Sequence, residues 1–145
     1  MPIKSFRNRM IDNTVDTITL HTNTGATGYK IVKFELMPID ADEDVESTVK
    51  IFSIPQTGAS VDINFADNTL LAAGIIRAGT GVTQPLTAVS IFDNMAFNQD
   101  IYITLKGSSY TRDVNYYIEL EQIKLDLNEN TVATLKDIRN IKGSA

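Results

Sequence analysis

The stretch Gln99-Asp-Ile-Tyr-Ile-Thr-Leu-Lys-Gly-Ser-Ser-Tyr-Thr-Arg-Asp-Val-Asn-Tyr-Tyr-Ile-Glu-Leu-Glu-Gln-Ile-Lys-Leu-Asp-Leu127 decides the fold. In its first arm Ile101, Ile103 and Leu105 alternate with Tyr102, Thr104 and Lys106. In the second, Val114, Tyr116, Ile118 and Leu120 alternate with Asn115, Tyr117, Glu119 and Glu121. A period of two with one apolar face is the mark of a half-buried antiparallel strand. Residues 107–113, rich in Gly, Ser and Asp, read as the loop joining the two arms into a hairpin. Ile123, Leu125 and Leu127 then fall on odd positions, and one extra residue near Glu121-Gln122, a β-bulge, would return them to the earlier face. The stretch specifies a scaffold and carries no chemistry of its own.

Working outward, residues 15–20 read as a strand, followed by turn-rich residues 22–28 with two glycines. Residues 29–37 come next, with Val32, Phe34 and Leu36 on one face and Ile31, Lys33 and Glu35 on the other; Pro38 ends the run because it lacks a ladder donor. Residues 48–54 are apolar on both faces and stop at Pro55. Val61, Ile63 and Phe65 alternate again. For residues 69–76, Leu-Leu-Ala-Ala leaves a strand and a single helical turn both open. Residues 86–92 are a further strand candidate. Roughly seven or eight short strands, spaced about ten residues apart and punctuated by Gly, Pro, Asn and Asp, predict an antiparallel β-sandwich or jelly-roll-like domain.

The chain ends differ from this core. Residues 1–13 mix Ile3, Phe6, Met10 and Ile11 with Lys4, Arg7 and Arg9 without a sustained period, and read as an extended, basic arm. Its two destinations are its own domain and a neighbouring acidic surface. The sandwich is expected over residues 14–127, and residues 128–145 as a short helix. Asn128 or Asn130 would cap that helix, Lys136, Arg139 and Lys142 would lie towards its negative end, and Val132, Leu135 and Ile138 would form one stripe. The stripe suits either the open end of its own sandwich or contact with another subunit.

At 145 residues the chain has the size of a single domain, large enough to remove roughly two-thirds of its extended surface from water. There is no cysteine, which excludes disulfides and thiolate metal sites. No apolar run has the length of a signal peptide core or a membrane span. A net charge of −5 argues against a general nucleic-acid binder, which needs a basic face to displace counterions. The basic ends and the acidic residues 40–46 are candidate interaction surfaces or solvated faces.

Little in the sequence suits catalysis. His21 is the single histidine, and no strained nucleophile turn accompanies it. Asp40, Asp42, Asp44 and Glu46 set hard oxygen ligands at alternate positions, as calcium requires. Val45 stands where the turn glycine of a calcium loop belongs and Ile51 where its bidentate Glu belongs, so the series reads as a solvated acidic loop. Neither a phosphate-binding glycine motif nor its lysine is present. Tyr102 and Tyr117, with Tyr110 at the loop, suggest a stacking platform, although cross-strand pairing explains aromatics in a sheet equally well.

The series Gly28-Tyr-Lys-Ile-Val-Lys-Phe34, Phe65-Ala-Asp-Asn-Thr-Leu-Leu71, Ile91-Phe-Asp-Asn94, Phe97-Asn-Gln-Asp-Ile-Tyr102 and Asn115-Tyr-Tyr-Ile-Glu-Leu120 resembles small virion structural proteins of marine tailed bacteriophages. The tail Thr131-Val-Ala-Thr-Leu-Lys-Asp-Ile-Arg139 is similar to theirs as well. The resemblance implies a non-enzymatic part of a particle, made in the host cytoplasm and residing in the virion. Capsid decoration or cement comes first; a neck, tail or fibre component, with receptor or glycan binding, is the alternative. It implies no catalytic, cofactor or metal residue. The partners expected are a major capsid protein or another virion protein and further copies of the chain, a trimer being favoured, with no nucleic acid or membrane. Lys4, Phe6, Arg7, Arg9 and Met10 are the expected docking residues of the arm, and Val132, Leu135 and Ile138 those of the tail.

Overall fold

Strands rich in β-branched and aromatic residues make up the regular structure: β1 (Ile3–Met10), β2 (Thr14–Ile18), β3 (Thr27–Pro38), β4 (Val45–Phe52), β5 (Leu70–Ala78), β6 (Thr87–Phe92), β7 (Ile101–Tyr110) and β8 (Val114–Lys124). The computed structural model describes residues 2–20, 26–40, 44–79, 87–110 and 112–125. One sheet has the order β1-β8-β3 and the other β2-β7-β4-β5-β6, and every pairing is antiparallel. Their inner faces share one core in which Phe34, Val49, Ile51, Ile76, Ile101, Ile103, Leu105, Ile118 and Leu120 are buried. This is the arrangement of a β-sandwich. The strand order lends no support to the jelly-roll part of the expectation.

The sheets are tied together along both sides. On one, the β1–β2 turn passes through Asn13, whose φ of 62° is a left-handed conformation that Asn tolerates, and Asn8 Nδ2 donates to Asp16 Oδ2 at 3.2 Å. On the other, Ser90 Oγ of β6 donates to the Phe34 carbonyl of β3 at 2.6 Å. Gly74 lets β5 approach β3, since a Cβ there would lie 2.9 Å from Leu36 Cδ1 and 3.3 Å from Phe34 Cε2.

Four expectations are corrected. First, β7 and β8 are the two strands expected, with the expected residues inside, but they do not pair as a hairpin. β7 lies between β2 and β4, and β8 between β1 and β3, so the connection carries the chain from one sheet to the other. Alternation fixes which side chains face the core and is silent on which backbone edge supplies the hydrogen bonds. β7 also continues to Tyr110 through an irregularity: Ser47 opposes Gly107 and Glu46 opposes Tyr110. A side chain at Gly107 would collide with the Tyr110 carbonyl, and its N–H donates to Asp12 Oδ1.

Second, the bulge lies on β3 and not near Glu121. Ile31 opposes Leu120 and Lys33 opposes Glu119, leaving Val32 as the extra residue. This is why Tyr29 and Ile31 are buried before the bulge and Phe34 and Leu36 after it. β8 keeps its phase, and Ile123, opposite Gly28, stays on the outward side.

Third, the arm is a strand. All eight residues of β1 pair with β8, so the segment packs along its own domain. Its apolar period is short because long cationic side chains occupy the outward positions. Fourth, the alternation of Val61, Ile63 and Phe65 does not make a strand. Residues 53–69 cross the outer face of the five-stranded sheet, and Phe65 is 70% exposed. Residues 70–78, left open above, are strand β5. The expected helix over residues 128–145, with Val132, Leu135 and Ile138, lies outside the described residues, as do His21 and Asp42.

Candidate interaction surface

Pairing of β1 with β8 sorts the five docking residues expected in the first segment. Phe6 opposes Ile118 and Met10 opposes Val114. Both turn inward: Met10 is buried in the core, and Phe6 packs half-buried against it. Lys4 sits at the sheet's end, where its Nζ donates to Tyr29 Oη at 3.4 Å and lies 5.5 Å from that ring's centroid. Arg7 and Arg9 face outward, opposite Tyr117 and Asn115. The structure therefore keeps the two arginines as surface residues and assigns Phe6 and Met10 to packing.

The register of β3 completes the surface. Three cross-strand rows cover the outer face of the small sheet: Arg9, Asn115 and Met37; Arg7, Tyr117 and Glu35; Ser5, Glu119 and Lys33. Between them is an open groove of about 560 Å³ lined by Arg7, Arg9, Lys33, Glu35, Met37 and Tyr117 among others. Met37 is exposed. Lys33 Nζ lies 5.8 Å from the Tyr117 ring centroid, within cation–π range. The Tyr117 hydroxyl donates to Glu119 Oε2 at 2.6 Å, and this bond holds its pKa above the ordinary tyrosine value. Arg9 Nε donates to Asp113 Oδ2 at 2.9 Å, an exposed pair whose worth to stability is about 0–1 kcal/mol. The face thus offers cationic donors, carboxylate acceptors and two apolar bodies, Met37 and Tyr117, in alternating rows suited to another protein's polar surface.

Lys33, Glu35 and Met37 were not among the expected docking residues. Their alternation was readable, but their company with Arg7 and Arg9 depends on β8 lying between β1 and β3. The stacking platform dissolves for the same reason: Tyr102 is on β7 and Tyr117 on β8, on the outward sides of different sheets. Of the acidic series, Glu46 lies on β4 and accepts from Arg77 Nη2 at 3.1 Å. Among the described residues, no group of three or more His, Asp or Glu is placed to hold a metal ion.

The large sheet presents a different outer face. Thr48, Lys50, Phe52 and Thr104 point outward yet are buried, and residues 53–69 reach over Lys50. Lys50 Nζ donates to Ser60 Oγ at 2.9 Å and to the Asp62 carbonyl at 2.6 Å. Burial lowers its pKa, against the opposing influence of Asp62 and Asp67. Beside this covered strip, Ile75, Val89, Ile91 and Phe65 are exposed, while Phe92, opposite Ala72, is exposed on the other side of β6. Sequence reading gave residues 86–92 only as a strand candidate and residues 61–65 only as an alternation, with no outward apolar face assigned to either. No protein-family model and no curated protein matches this chain, so the reading of its surfaces rests on their geometry.

Proposed function

We propose that this chain is a non-enzymatic structural protein of a bacteriophage virion, a capsid decoration or cement protein that stabilises the shell by burying surface between neighbouring subunits. The observation that carries the docking part is the outer face of β1-β8-β3, where Arg7 and Arg9 meet Lys33, Glu35, Met37 and Tyr117 around one open groove. It supplies cations for an acidic partner surface and apolar bodies that become anchors once desolvated, the combination that interface centres favour. The virion setting is supported by the resemblance of the segments quoted above, which lie on β3, on β8, around the start of β5 and along the β6–β7 connection. β1 is an edge strand, and closed association, a trimer foremost, would cover such edges.

The test is quantitative mass spectrometry of purified particles, with wild type beside the double variant Arg7→Glu, Arg9→Glu. A copy number in the hundreds, with incorporation lost in the folded double variant, is expected. A copy number of one small ring would move the protein to the neck or tail. Absence from particles, or unchanged incorporation of the double variant, would overturn the docking assignment.

A further inference from the structure

The apolar patch on β5 and β6 lies away from the proposed docking face and has its own geometry. Ile75 opposes Val89 and Ala73 opposes Ile91, so Ile75, Val89 and Ile91 form a ladder on the outer side of the large sheet. Val89 is 60% exposed. At the ladder's lower end a concavity of about 300 Å³ is lined by Phe65, Leu70, Ile91 and Phe92, with Asp67 and Asp93 on its rim and no cation in its lining. Isolated exposed apolar side chains are ordinary, whereas a contiguous group with a polar rim marks a contact site.

Leu125, the last described residue, lies at this same end of the sandwich. Leu125 N–H donates to the Ala26 carbonyl at 2.8 Å, and its side chain fills the space over Gly28. The adjoining Tyr29 exchanges two backbone hydrogen bonds with Phe97, which follows Phe92 by five residues. Beyond Leu125 the sequence continues for twenty residues. From Leu125 to Val132 an extended chain reaches about 24 Å, and Phe92 to Phe97 spans at most about 18 Å. The tail matches the patch in character. Val132, Leu135 and Ile138 fall at helical spacing on one stripe, and a stripe of that length runs about 9 Å, enough to cover the roughly 7 Å from Val89 to Ile91 along the strand. Lys136, Arg139 and Lys142 supply positive charge to a site rimmed by two aspartates.

We infer that the C-terminal segment of the same chain docks on the Phe65, Val89 and Ile91 patch, its apolar stripe on the ladder and its cations towards Asp67 and Asp93. This goes beyond the virion reading and does not depend on it, because it is tested on the isolated full chain. A photo-crosslinking benzoylphenylalanine is placed at position 135, the protein is irradiated, and the products are separated by size and mapped by mass spectrometry. The expected result is crosslinks within single chains to Phe65, Val89 or Ile91, with a yield that falls at least tenfold when Val89→Asp and Ile91→Asp are added. Both substitutions are on exposed side chains, and an unshifted thermal transition will show that the fold survives them. Crosslinks joining two chains would assign the patch to a second copy and overturn the inference. Crosslinks elsewhere, none at all, or a yield indifferent to the two aspartates would overturn it as well.

Discussion

The outer face of the three-stranded sheet and that of the five-stranded sheet are built from the same alternation and end in opposite conditions. On the small sheet, Arg7, Arg9, Lys33, Glu35 and Glu119 stand in cross-strand rows on the outer face, Lys33 directly opposite Glu119 and Arg9 bonded to Asp113. On the large sheet, Lys50 and Thr104 point outward and are nevertheless buried, Lys50 beneath residues 60–62 of the crossing segment. Beyond the crossing, the same face turns apolar at Ile75, Val89 and Ile91. The difference teaches that outward is not equivalent to exposed. A small sheet lined by charge rows stays open to water within its own chain, whereas the large one is covered in part by an internal segment.

The comparison breaks most severely if the small sheet loses β1. Deleting residues 2–10 removes Met10 from the core and opens one edge of β8 along eight paired positions. The expected outcome is loss of the cooperative thermal transition by circular dichroism, since three strands are near the minimum for a stable sheet. A deletion variant that melts cooperatively near the wild-type temperature would show that β1 is an accessory strand after all. Deletion is for that reason a poor test of docking, and charge reversal at Arg7 and Arg9 takes its place.

Next in size is the anchor of the crossing segment. Lys50→Ala leaves the Asp62 carbonyl and Ser60 Oγ without their donor, and should cost about 1–3 kcal/mol in urea denaturation. A loss below the error of the measurement would mean that residues 53–69 hold their place without Lys50. The same lysine sets a pH dependence. Its folded pKa is lowered by burial from the ordinary 10.5, so between the lowered value and 10.5 the unfolded chain binds more protons and stability rises with pH. Lys50→Met should remove that rise.

A pH effect of opposite sign belongs to the small sheet's inner face. Burial, and secondarily Asp16, push Tyr116 from 10.0 up to about 12. Below about pH 10 both states are protonated; between there and 12 the folded state keeps the extra proton, and stability falls as pH rises. Tyr116→Phe should flatten the alkaline limb of the pH–stability curve, and an unchanged limb would assign it elsewhere. The smallest change is expected on the charge rows themselves. Arg7→Glu should alter stability by no more than about 0.5 kcal/mol, and a larger loss in chemical denaturation would make the row part of the scaffold.

Much of this architecture was legible because burial follows a local code. Ile101, Ile103 and Leu105, or Ile118 and Leu120, declare their inward side within a few residues, and each is fully buried. The outward side of β3 was legible in Lys33 and Glu35. The candidate surface was not, because it joins β1, β8 and β3, whose adjacency rests on backbone hydrogen bonds that carry no residue identity. Phe65 misled for a related reason: its alternation with Ile63 and Val61 has the period of a strand, but those backbone groups find no ladder in the finished fold.

By itself, then, the sequence determined a β protein, its inward-facing residues and its many turns, since side-chain period, β-propensity and Gly, Pro and Asn placement act over short spans of chain. The tertiary structure decided that the stretch from Gln99 onward is shared between two sheets and not folded into one hairpin, that the extra residue sits at Val32 and not at Glu121, and that the basic first segment is a strand. Each of these is a choice among partners that local period leaves equivalent, and only the simultaneous pairing and packing of all the strands separates them.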